Sequence, residues 1–214
     1  MPEAQQPPYR DRFPGFDVLA QSKHWDRVTA GVVLSRIGMA PDIRFFTPAE
    51  QAVATALCDR LLDQDVDRDG EERVPVVNLI DARLAEFQTD GWHYEDMPED
   101  GQAWRESLAG LDADAQARFG TRFSACSHEQ QSVLIQAVQD RGADPWHGLP
   151  ATHVWSLWTR YACTAFYAHP SAWNEIGFPG PAYPRGYKNP GVDAREPFEV
   201  RDAKPEDDPA RGTT

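Results

Sequence analysis

Basic charge is scarce in this sequence. Twenty-one Lys and Arg face 34 Asp and Glu, for a net charge of -13 and a pI near 4.8. A nucleic-acid backbone needs clustered cations, so such a partner is disfavoured, as is docking onto an anionic membrane. Cysteine is scarce too. Cys58, Cys126 and Cys163 are far apart and odd in number, with no CxxC pair, which argues against a disulfide framework or thiol redox chemistry. Cys58 and Cys163 fall in apolar helical contexts and read as small buried hydrophobes, a usage that suits a reducing compartment.

Long apolar runs are missing as well. No stretch approaches the roughly 18 uncharged apolar residues of a membrane span, so no direct membrane insertion is expected. The opening MPEAQQPPYRDR has no basic segment leading into an apolar one, and no signal peptide is expected from it. The apolar run at 28–34 is short and flanked by Arg27 and Arg36. Trp25, Val28, Val32 and Ile37 fit one face of an amphipathic helix there.

The familiar catalytic patterns are also absent. Neither GxGxxG nor GxxxxGK[ST] occurs, so no phosphate cradle for a flavin, nicotinamide or nucleotide is recognisable. There is no GxSxG elbow. His24, His93, His128, His147, His153 and His169 form neither HxxxH nor HExxH. The sequence therefore assigns no catalytic residue, no cofactor and no metal to this chain. Residues 65–70, Asp-Val-Asp-Arg-Asp-Gly, match the first half of a calcium loop, but Glu72 and Val76 stand where an apolar residue and a bidentate Glu belong. A solvated acidic loop is expected instead.

What the chain has is a 41% hydrophobic fraction, seven Trp, 18 Pro and 15 Gly. Its 214 residues suit one domain with extensions. The composition predicts a helical core wrapped by irregular, Pro-containing segments. Helices are expected at 23–37; from Thr47, where Thr47-Pro48-Ala49-Glu50 forms a capping box; from Pro75, with Val77, Ile80, Leu84 and Phe87 inside; at 102–109; and at 113–123, capped by Asp112. Ser127-His128-Glu129-Gln130 is a second capping box, opening a helix that buries Val133, Leu134, Ala137 and Val138. The stripe of the Thr47 helix is Val53, Leu57 and Leu61. Residues 150–168 form the longest and most aromatic helix, with Val154, Leu157, Trp158, Tyr161 and Ala165 on one face. A His169 at its end is expected to meet the last carbonyls. The fold class is all-α.

Residues 171–190, SAWNEIGFPGPAYPRGYKNP, have neither a helical nor a strand period and are expected to lie extended against another surface, as a strap. The crowded Trp, Tyr and Arg are types enriched at protein–protein hot spots, and the strap reads as an interface. A sugar-stacking pocket is the competing reading. The organisation is thus an arm with a short helix at 1–40, a helical domain with its strap at 41–190, and a flexible acidic tail at 191–214.

The run from Tyr167 through His169-Pro170, Trp173-Asn174-Glu175 and Gly177 to Tyr183-Pro184-Arg185-Gly186-Tyr187 closely resembles the gluconate 2-dehydrogenase subunit 3 family, as does the Phe45-Phe46-Thr47-Pro48-Ala49-Glu50 helix start. Members resemble small subunits of bacterial flavoprotein dehydrogenases that act on gluconate, other sugars or polyols. The resemblance implies a non-catalytic accessory subunit. Its partners would be a large subunit carrying FAD in a glucose-methanol-choline oxidoreductase fold and, in some complexes, a cytochrome c subunit. The small subunit would support folding, stability and export of the large one. His169, Pro170, Trp173, Asn174, Glu175, Gly177, Tyr183, Pro184, Arg185, Gly186 and Tyr187 are then the expected partner-binding residues. Many relatives begin with a twin-arginine signal that is not seen here, so a cytoplasmic location, or export on a signal-bearing partner, is expected. Pro179 stands where a Gly is common in the family.

Overall fold

The computed structural model describes residues 12–64, 73–92, 94–189, 191 and 194–204. The acidic loop at 65–72, the first eleven residues and the tail from 205 lie outside the described residues. The α-helices are α1 (Arg27–Ser35), α2 (Pro48–Leu62), α3 (Val76–Ala85), α4 (Asp100–Phe119), α5 (His128–Asp140), α6 (Ala151–Tyr167) and α7 (Pro170–Ile176). Short 3-10 segments cover Val18–His24 and Phe123–Ala125. The fold is all-α apart from a hairpin of two two-residue strands, β1 (Pro145–Trp146) and β2 (Leu149–Pro150). His147 and Gly148 turn it with positive φ at both positions, the backbone a tight two-residue hairpin demands. Two compact units result: Ala40–Phe166, and the residues up to Met39 together with those from Tyr167 onward.

In the unit Ala40–Phe166, the local signals act as the sequence predicts. The Thr47 hydroxyl accepts from the Glu50 amide at 3.3 Å while the Glu50 carboxylate accepts from the Thr47 amide at 2.8 Å, and Pro48 occupies the first turn of α2. Ser127 and Gln130 build the same reciprocal pair at α5. Each cap contributes about 1 kcal/mol. The aromatic helix α6 buries Val154, Leu157, Trp158, Tyr161 and Ala165, and Phe166 besides. Trp104 and Trp158 are fully buried, and the Trp158 indole donates to the Ser107 hydroxyl at 2.9 Å.

The structure changes five of the expectations here. The two helices expected at 102–109 and 113–123 are one continuous α4. Gly110, mid-helix, is no break: a β-carbon there would stand 2.8 Å from the Trp146 ring, so the glycine admits that indole against the helix. Asp112 caps nothing and instead accepts from the Phe123 amide at 2.8 Å. On α5 the buried side is Gln131, Leu134, Ile135 and Val138, with Val133 and Ala137 exposed. The Phe123 and Cys126 carbonyls, each 3.2 Å from Gln131 Nε2, turn the helix that way. Phe87 lies exposed beyond the end of α3 rather than on its buried face. Cys58 is buried as expected, but Cys163 sits on the exposed side of α6.

One buried carboxylate organises the approach to α2. Asp81, fully buried on α3, accepts from the amides of Arg44, Phe45 and Phe46 at 2.7, 2.9 and 2.7 Å. These donors would otherwise be unpaired, and each charge-assisted bond is among the stronger kinds.

In the other unit, the helix expected at 23–37 is divided. A 3-10 segment runs to His24, Trp25 is extended, and Asp26 caps α1 by accepting from the Thr29 amide at 2.7 Å. The cap sets a new phase. Val33 is buried, whereas Val28 and Val32, expected inside, are exposed. Val18, Trp25, Val33 and Trp173 form the core of this unit, with Phe16, Leu19 and Ala30 packed against it. Among the described residues, no helix is long and apolar enough to cross a membrane.

Candidate partner-binding surface

The segment expected to be an extended strap begins as a helix. Pro170 fits the first turn of α7, where a missing amide hydrogen costs nothing, and Gly177 ends it in the left-handed conformation. Seven residues are too few for a periodic signal, which is why the sequence hides this helix. His169 stands just past the end of α6. It is the N-cap of α7, buried, with Nδ1 accepting from the Ser171 amide at 3.3 Å.

Trp173 is only 4% exposed. Its indole N–H donates to the Tyr167 carbonyl at 2.7 Å, and its ring meets Phe178 edge-on at 5.2 Å. Asn174 Oδ1 accepts from the Val18 amide at 2.8 Å, tying α7 to the 3-10 segment. Past Gly177 the chain folds back on the same unit. Gly180, also at positive φ, receives the Trp25 ring where a β-carbon would otherwise lie 2.5 Å away. Gly186 donates to the Ala182 carbonyl at 2.8 Å around the cis Tyr183–Pro184 peptide.

Arg185 Nη1 donates to Gln21 Oε1 at 3.1 Å while the guanidinium stacks on Phe198, 3.8 Å from the ring centroid. Burial lowers its pKa, and Nε and Nη2 have no hydrogen-bond partner among the described residues. The amides of Lys188 and Asn189 both donate to Glu196, and Arg12 pairs with Asp202.

The expected partner-binding residues therefore separate into two groups. His169, Pro170 and Trp173 are buried in their own unit, and Asn174, Gly177 and Arg185 are partly so. Glu175, Tyr183, Pro184, Gly186 and Tyr187 are exposed, with Tyr183 at 65% and Tyr187 at 59%. The first group shapes the surface and the second is displayed by it. The sequence reading missed Gln21 and Phe198, and it read Phe13 as part of a contact arm and Trp25 as a helix-face residue rather than as residues that the strap folds against. Gly177 and Gly180 were the available hint, since each glycine marks a place where another ring comes close.

A second aromatic group lies in the unit Ala40–Phe166. Trp92, half exposed, meets Tyr94 edge-on at 5.3 Å and carries the Arg160 guanidinium 5.1 Å from its ring. Tyr94 stacks on His153 at 3.6 Å, and His153 pairs with Asp96 at 2.8 Å. Beneath them the Tyr161 hydroxyl donates to Asp100 at 2.6 Å; burial and that bond push its pKa up. Among the described residues, no group of three His, Cys, Asp or Glu could hold a metal ion.

No curated protein and no solved structure matches this chain. The family model of gluconate 2-dehydrogenase subunit 3 matches residues 48–180, which covers α2 through α7 and the start of the strap. The chain belongs to the gluconate 2-dehydrogenase subunit 3 family.

Proposed function

We propose that this chain is a non-catalytic small subunit that binds and stabilises a large FAD-dependent dehydrogenase acting on a sugar or polyol. The flavin belongs to the partner, of the glucose-methanol-choline oxidoreductase type, and a cytochrome c subunit takes electrons onward in complexes that have one. Assistance to the large subunit during export is part of the same role, with this chain either remaining cytoplasmic or travelling on a signal-bearing partner. Family membership supports the reading. The observation that carries it to particular residues is the pair Tyr183 and Tyr187, exposed on a strap whose own anchors are buried. Such rings supply large contact area at little conformational cost.

The test is capture of the tagged chain from its native cells, with an absorption spectrum of what elutes. A flavin spectrum arriving with a larger chain is expected. Replacing both Tyr183 and Tyr187 with Ala should weaken that capture at least about tenfold while the free chain still unfolds cooperatively, with at most a small loss from the Tyr187–Phe198 contact. A colourless chain eluting alone would overturn the proposal.

The exposed Trp92–Tyr94 pair favours a second reading, a carbohydrate-binding protein that stacks sugar rings on these aromatics. Calorimetry of the isolated chain with gluconate and glucose distinguishes the two, since the subunit reading predicts no heat of binding.

A further inference from the structure

The negative charge of this protein belongs almost entirely to one unit. Residues 40–166 carry ten Arg against 22 Asp and Glu, a net of -12, whereas the remainder carries eleven Lys and Arg against twelve Asp and Glu, a net of -1. The nearly neutral unit also displays Val28, Val32, Leu34, Met39, Ile176 and Phe178, all exposed.

We propose that the outward stripe of α1, formed by Val28, Gly31, Val32 and Ser35, docks an apolar, acid-rimmed surface of the large dehydrogenase subunit. The inference rests on the subunit reading above and adds a contact face to it. These four positions are spaced i, i+3, i+4 and i+7 and so share one side of the helix. Val28 is 73% exposed and Val32 is 50% exposed, while Val33 holds the opposite side to the core with Trp173.

Gly31 is the informative residue. A glycine inside a helix costs up to about 1 kcal/mol relative to alanine. Here a β-carbon would meet nothing within 4 Å, so no contact among the described residues calls for its absence. A bare position between two exposed valines lets a partner's backbone approach closely.

Charge selects the occupant. Lys23, Arg27 and Arg36 flank the stripe along the chain, and the carboxylate next to it in sequence, Asp26, is spent on capping α1. An acidic rim on the partner complements these cations. A second copy of this chain paired antiparallel across Gly31 would set Arg27 against Arg36 instead. A lipid surface is disfavoured because the stripe lacks the aromatic and Leu anchors of interfacial helices. The stripe also precedes the residues 48–180 that the family model matches, so family membership does not itself confer it.

The experiment compares wild-type chain with the double variant Val28→Glu/Val32→Glu, each tagged and captured with the flavin-containing large chain from native cells. Both positions are exposed, so the variant should melt at the wild-type temperature. Its yield of flavin-containing large chain should fall at least about tenfold. Gly31→Leu, which adds bulk without charge, should give the same loss.

Equal capture by wild type and both variants would overturn this face while leaving the subunit reading in place. Capture of nothing by the wild type would overturn both. A wild-type dimer that the double variant converts to monomer, or flotation with phosphatidylserine vesicles that the variant abolishes, would replace the proposed occupant and also overturn it.

Discussion

A β-carbon on Gly177 would stand 2.5 Å from the ring of Phe13. No real β-carbon tolerates that separation, and the φ of +65° at Gly177 is one that side-chain-bearing residues rarely adopt. The residue thus does two things at once: it ends α7, and it seats an aromatic ring that comes from the beginning of the chain.

Gly177→Ala is therefore expected to destabilise the protein by roughly 2–4 kcal/mol, about 1 from the backbone and the rest from overpacking. Denaturant unfolding of the variant measures the sum. In the background of Phe13→Ala the same substitution should cost only the backbone part, because the ring it collides with is gone. An identical cost in both backgrounds would show that Phe13 does not pack there.

Glu50 gives a pH prediction. Desolvation raises its pKa, but the hydrogen bonds from Thr47 and Arg105 outweigh it and leave the carboxyl below its ordinary value of 4.5. A folded-state pKa that is depressed stabilises the fold in full above the ordinary value, and that contribution is lost as pH falls through the folded one. Glu50→Gln keeps a cap-competent side chain but loses the charge and its ion pair with Arg105, 2.7 Å away. It should cost about 0.5–1 kcal/mol at neutral pH. The gap between variant and wild type should close in unfolding curves taken well below pH 4.5.

The cysteines should separate by reactivity. Desolvation pushes up all three thiols, but Cys163 is exposed whereas Cys58 is fully buried and Cys126 is also buried. A bulky thiol reagent at neutral pH should label Cys163 in the native protein, and all three cysteines in denaturant. Loss of native labelling in Cys163→Ser identifies the site by mass spectrometry.

The residues expected to bind a partner illustrate how far a sequence can be read. Trp173, Tyr183 and Tyr187 look alike in a non-periodic aromatic segment, and all three suit an interface by residue type. Trp173 lies on a helix too short to announce itself, and its burial depends on Val18, Trp25 and Val33, more than a hundred residues earlier in the chain. Tyr183 and Tyr187 remain exposed although Arg185 between them is held by Gln21 and Phe198.

What the sequence determined alone was local or global, with little between. The caps at Thr47 and Ser127 were legible because their bonds join residues three apart. The buried face of α6 was legible because enough apolar residues repeat along it to outvote any single exception. The run from His169 to Tyr187 pointed to the family. Tertiary structure decided the rest. Trp146 packed onto Gly110 within a continuous α4, carbonyls at 123 and 126 rotated α5, and the Asp26 cap turned Val28 and Val32 outward. Each outcome depends on a group outside the helix concerned or on a cap that resets helical phase, and periodicity carries no information about either.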